Sequence, residues 1–85
     1  MLTIGQKDKI KESICTTLQV EESEINETTN LEKDLGADSF DQVEILLDVE
    51  KKFSIRISDD EFVKVKTFGE LCDAVEKQLV KDEKK

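Results

Sequence analysis

The stretch SFDQVEILLDVEKKF, Ser39 to Phe53, decides how the rest of the chain is read. On a helical wheel at about 100° per residue, with Ser39 at zero, Ile45, Leu46, Val49 and Phe53 fall between about 240° and 340°. That is an ordinary core stripe. Phe40, Val43 and Leu47 fall between about 40° and 100°, set apart from the first stripe by Ser39 and Glu50. Asp41, Glu44 and Asp48 lie beside this second stripe, at about 140° to 200°. A helix in a small bundle needs only one buried face, so two readings stand on the wheel alone. Either the helix is gripped on two sides, or Phe40, Val43 and Leu47 meet a partner that the neighbouring acids steer.

Working outward, hydroxyl-x-x-Glu/Gln patterns occur at Thr3–Gln6, Ser39–Gln42, Ser58–Glu61 and Thr67–Glu70, each opening a helix-like segment. The spacing predicts a first helix over about Ile4 to Leu18, with Ile10, Ile14 and Leu18 as its core stripe. It predicts a second helix from Ser39 to Lys52, closing near Phe53, and a short third from about Asp59 to Val63. A fourth is expected from Phe68 to Val80, with Leu71, Val75 and Leu79 inward. Ser54-Ile55-Arg56-Ile57 alternates like a strand but is short and has no partner, so it reads as extended loop with Ile55 or Ile57 plugged into the core. Residues 20–38 form a long connection pinned by Ile25, Leu31 and Leu35, in which Gly36 supplies a backbone conformation that side chains disfavour. The expected fold is all-α: a small antiparallel four-helix bundle, three helices longer and one short, with a long first loop. Residues 1–80 would be the folded domain and 81–85 a frayed, charged tail.

Composition narrows the function. The chain has 85 residues, enough for one thin core and a shallow groove but not a deep active site. Thirteen bases against twenty-one acids give a net charge of −8. Residues 21–61 hold fourteen acids and four bases, net −10, so the acidity belongs to the middle of the chain. This balance opposes nucleic acids and acidic membrane surfaces and favours basic surfaces on other proteins. No apolar run is long enough to span a membrane, and the N-terminus lacks a secretory pattern, so the expected compartment is the cytoplasm. There is no His, hence no His-based nucleophile arrangement or metal site. The acids from Glu32 to Glu44 do not form a helix-loop-helix calcium site: aligning Gly36 with the loop glycine puts Leu31 where a carboxylate is required. Cys15 and Cys72 each sit in an apolar helical pattern and read as structural thiols.

Ser39, between Asp38 and Phe40, reads first as a helix cap. With no base to activate it, any chemistry at Ser39 must come from another protein, and a helix start suits a phosphate-bearing group.

The run NLEKDLGADSFDQVE, Asn30 to Glu44, closely resembles the modification segment of acyl carrier proteins, whose pattern is L-G-A-D-S-L-D-x-V-E. The resemblance extends from the first helix to about Leu79 and includes FSIRISDDE, Phe53 to Glu61. It implies that Ser39 receives a 4′-phosphopantetheine arm from coenzyme A through a Mg²⁺-dependent phosphopantetheinyl transferase. The terminal thiol would then carry acyl groups as thioesters, in fatty-acid or specialised lipid or polyketide-type biosynthesis. The chain would be a monomeric substrate of acyl-loading, condensing and acyl-transfer enzymes with basic docking surfaces, rather than an enzyme itself. Asp38 matches the family acid beside the serine. Asp41, Glu44 and Glu50 match its acidic recognition helix, and Val43 and Leu47 its exposed apolar contacts. Three residues depart from the pattern: Phe40 replaces Leu, Lys51 and Lys52 stand where acids are common, and Asp48 replaces a small apolar residue. These point to a specialised partner set. The alternatives are an aminoacyl carrier of the D-alanyl type and an unmodified helical adaptor.

Overall fold

Thr3 opens helix α1 (Ile4–Leu18) with a reciprocal cap. Its hydroxyl accepts the Gln6 N–H at 3.1 Å, and the Gln6 side chain accepts the Thr3 N–H at 2.9 Å. The computed structural model describes residues 2–83, with side chains for residues 2–80. Ile10 and Ile14 of α1 are fully buried and Leu18 half-buried, as their spacing predicts. Gln19 ends the helix in the left-handed region, its N–H donating to the Cys15 carbonyl at 2.7 Å.

Helix α2 (Ser39–Phe53) starts differently from expectation. The cap is Asp38, in extended backbone, not Ser39. The Asp38 carboxylate accepts the Asp41 N–H at 2.8 Å, and the Asp41 carboxylate accepts the Asp38 N–H at 3.3 Å. Both residue types cap well, but a carboxylate also gains from the positive end of the helix dipole. Ser39 becomes the first helical residue. Ile45, Leu46 and Val49 are buried and Phe53 half-buried, so the first stripe is the core stripe.

Ser13 of α1 meets Asp48 of α2, and Lys9, one turn earlier, meets Lys52, one turn later. The two helices therefore run antiparallel, and α1 packs more extensively on α2 than on α4. Helix α3 (Asp59–Phe62) is capped by the Ser58 hydroxyl, which accepts the Glu61 N–H at 3.2 Å. Helix α4 (Phe68–Glu83) begins with the expected Thr67–Glu70 cap and continues past Val80. Lys and Glu propagate helices well, which accounts for the extra turn. Helix therefore reaches into the segment expected to fray, and Lys84 and Lys85 lie outside the described residues.

The long connection is folded, not slack. A 3-10 turn (Glu22–Glu24) follows α1; Ile25 and Leu31 are buried, and Leu35 is half-buried. Asn30 accepts the N–H groups of Glu32 and Lys33 at 3.0 and 2.7 Å, and Gly36 takes φ +75°. Three bonds lace this segment to the start of α4. Leu31 donates to the Lys66 carbonyl at 2.9 Å, Phe68 to Thr29 at 3.0 Å, and Gly69 to Glu27 at 3.0 Å. A Cβ at Gly69 would lie 2.8 Å from the Glu27 carbonyl oxygen, so the close approach requires glycine there. Ile55 and Ile57 are both buried, because alternate residues of an extended segment share one face. Among the described residues there is an isolated β-bridge, Asn30 with Thr67, and no strand.

Candidate functional site

Because Asp38 caps α2, the Ser39 hydroxyl is left free. It is exposed and makes no hydrogen bond among the described residues. The N–H groups of Ser39 and Phe40 occupy the first two helical positions and have no intrahelical acceptor. Ser39 opens onto a cleft of about 360 Å³ between α2 and α3. Gln42 and Val43 of α2, Asp59 and Phe62 of α3, and Val63 line it, with Glu32 and Lys66 closing the sides. A free hydroxyl, free N–H donors and adjoining space fit an attached phosphodiester. Asp38, the adjacent acid, is taken up by the cap.

The second stripe of α2 is exposed: Phe40 by 69%, Val43 by 46% and Leu47 by 58%, against 0% for Val49 on the opposite side. Val63, after α3, is 63% exposed and shares the cleft with Val43. Sequence reasoning missed Val63 and Lys66, since a four-residue helix is too short to define a face. The available signal was the apolar pair Phe62-Val63 set between Glu61 and Lys64.

The acids divide. Glu44 is exposed and stands beside Val43 and Leu47. Asp41, Asp48 and Glu50, placed with Glu44 on the recognition surface by sequence, are half-buried and bonded within the fold. Asp41 completes the cap with Asp38. Glu50 accepts the Ile57 N–H at 2.7 Å and so fixes the α2–α3 connection. Asp48 pairs with Lys52 at 3.3 Å, and Lys52 bridges on to Glu12 of α1 at 3.0 Å. The Ser13 hydroxyl bond, reinforced by Lys52, holds the Asp48 carboxyl below its ordinary range. Burial opposes the Lys52 charge, but its bonds to Glu12 and Asp48 outweigh that and raise its pKa. Asp41 and Asp48 project toward the core edge at one side of the wheel and Glu50 at the other, which explains their internal use.

Residues 8–75 match the family model for the phosphopantetheine attachment site. An acyl carrier protein of Porphyromonas gingivalis is 39% identical over 71 residues, covering 84% of this chain and 91% of the relative. The chain belongs to the acyl carrier protein family. The acyl carrier protein of Thermotoga maritima is 38% identical over 84% of this chain and 88% of its own. That of Lactobacillus acidophilus is 44% identical over 74% and 79%. An acyl carrier protein structure from Enterococcus faecalis superposes with a TM-score of 0.77 at 27% identity, over 92% of this chain and 99% of that one. The family's 4′-phosphopantetheine group and its role in carrying acyl groups extend to this chain, and a part in fatty-acid biosynthesis is consistent with them. Its relatives are carriers rather than catalysts, and the family works with phosphopantetheinyl transferases and biosynthetic enzymes. Among the described residues, no helix is long and apolar enough to cross a membrane.

Proposed function

We propose that Ser39 is the attachment point of the arm, and that the exposed stripe of α2 docks the enzymes that load and unload it. The observation that carries the first part is the freed hydroxyl at the first position of α2. The chain has no histidine to activate the hydroxyl, and the adjacent Asp38 carboxylate is engaged with the Asp41 N–H. The transferase takes the Ser39 proton while the serine oxygen bonds to the β-phosphorus of coenzyme A, the bond from that phosphorus to the bridging oxygen breaks, and adenosine 3′,5′-bisphosphate leaves. When attached, the arm supplies a terminal thiol that holds acyl groups as thioesters. The protein's part is to keep the serine exposed, to offer free N–H groups to the phosphate, and to present Phe40, Val43, Glu44 and Leu47 beside it. Glu44 steers basic partners, and the three apolar side chains supply buried contact on docking. This makes the chain a monomeric, cytoplasmic substrate of enzymes and not a catalyst.

Intact mass after incubation with coenzyme A, Mg²⁺ and an active transferase tests the assignment. One arm is expected on the native chain and none on Ser39→Ala. Modification that persists in Ser39→Ala refutes it.

A further inference from the structure

The cleft beside Ser39 is lined by a single cation. Glu32 and Asp59 contribute negative charge, Val43, Phe62 and Val63 are apolar, and Lys66 is the basic residue among them. Lys66 also lines an adjoining cavity of about 220 Å³ with Asn30, Glu32, Lys33 and Gln42, so Lys66, Glu32 and Gln42 border both spaces. Its backbone is fixed: the carbonyl accepts the Leu31 N–H at 2.9 Å, and the N–H donates to the Glu70 carboxylate at 2.8 Å. Its side chain is exposed and makes no hydrogen bond or close ion pair among the described residues; the Glu70 carboxyl is held low first by the N–H groups of Lys66 and Thr67 and, more weakly, by the Lys66 charge. Other lysines are engaged: Lys7 meets Glu27 at 3.4 Å, Lys52 meets Glu12 at 3.0 Å, and Lys77 meets Glu61 at 3.4 Å. The neighbouring Lys64 faces a different groove, between α3 and α4, with Glu70 and Asp73.

We propose that Lys66 is a positioning residue for the phosphodiester on Ser39, pairing with its oxygens and turning the arm into the α2–α3 cleft. This rests on attachment at Ser39. A phosphate added there joins a region already carrying net −10 and faces Glu32, Asp38 and Asp59. Lys66 is the lining group whose charge offsets that repulsion, and its fixed backbone limits the ordering cost of bringing the ammonium over the cleft. A direct pair also makes the arm's course depend on charge and not on cargo.

The test begins with intact mass, to establish that the arm is present, and then compares the apo and holo proteins. The Lys66 side-chain ammonium signal is recorded by NMR in both forms, with Lys64 as the internal control. The phosphorus resonance is recorded for holo wild type, Lys66→Met, Lys66→Arg and Lys64→Met. Attachment should move the Lys66 ammonium signal, with a smaller change at Lys64. The phosphorus resonance should move in Lys66→Met, stay in Lys64→Met and return toward wild type in Lys66→Arg. Equal movement of the two lysine signals, or equal phosphorus shifts in the two Met variants, would overturn the role of Lys66 while leaving attachment intact. A missing mass gain would instead remove the attachment on which it depends.

Discussion

Asp38 and Ser39 divide between them what a single capping serine would have combined. The carboxylate of Asp38 takes the Asp41 N–H, and the Ser39 hydroxyl is released to solvent. Asp38→Ala should therefore cost about 0.5–2 kcal/mol in thermal or urea unfolding. Ser39→Ala should stay within about 0.5 kcal/mol of wild type, because it exchanges one helical residue for a better helix former. Equal losses would return the cap to the serine. Cys72 is a second position with a defined signature. Burial pushes its thiol up from 9.0 to about 11. The folded state thus favours the neutral thiol: the stabilisation is whole below about 9 and is lost as pH rises toward 11. Unfolding measured from pH 8 to 11 should decline less steeply in Cys72→Ala than in wild type. Cys15, half-buried, should alkylate faster than Cys72 at neutral pH.

Helix α2 carries two apolar faces with different fates, and substitutions on them should fail differently. Val49→Ala removes a fully buried side chain and should cost on the order of 1–3 kcal/mol in a thermal melt. Leu47→Ala alters a side chain that is 58% exposed and should leave folding within about 0.5 kcal/mol. Its effect should fall on faster dissociation from the transferase, with little salt dependence. Glu44→Lys should slow association, mostly at low salt, where screening is weak. A Leu47→Ala protein that melts as early as Val49→Ala would place the second stripe in the core. The half-buried acids predict a further contrast. The Asp48 carboxyl is held below its ordinary range, so its contribution is present at neutral pH and is lost as pH falls through its folded value. Asp48→Asn should therefore flatten the acid limb of the stability curve.

The molecule as a whole concentrates its negative charge where it also builds its site. Residues 21–61 hold net −10, and the ion pairs that Lys7 and Lys77 make with Glu27 and Glu61 offset only part of it. Self-repulsion of this kind opposes folding in a small domain with a thin core. The melting temperature should rise with NaCl and more steeply with millimolar Mg²⁺ or Ca²⁺, since divalent ions neutralise neighbouring carboxylates more effectively. A melting temperature independent of ionic strength would mean that the acids are already compensated. The same charge gives basic partners a field to follow, so some stability is given up for association rate.

Helical periodicity and hydroxyl caps were enough, from the residues alone, to define four helices and the core stripes of three, and the absence of His meant that any chemistry at Ser39 had to come from outside. Those signals are local: each depends on residues within a turn or two of one another. The tertiary structure decided what local rules left tied. Asp38 and Ser39 are both good caps, and the turn at Gly36, with its positive φ, precedes the extended backbone that lets Asp38 fill the role. Phe40, Val43 and Leu47 could have been buried or exposed until α1 was found to pack on the other stripe of α2. Asp41, Asp48 and Glu50 look like surface charge in one dimension, yet they bond a cap, a neighbouring helix and a loop. Lys66 and Ser39 are 27 positions apart in the chain and become neighbours across one cleft only when α3 and the long connection fold against α2. Pairings of that separation carry no sequence period, so packing alone could reveal them.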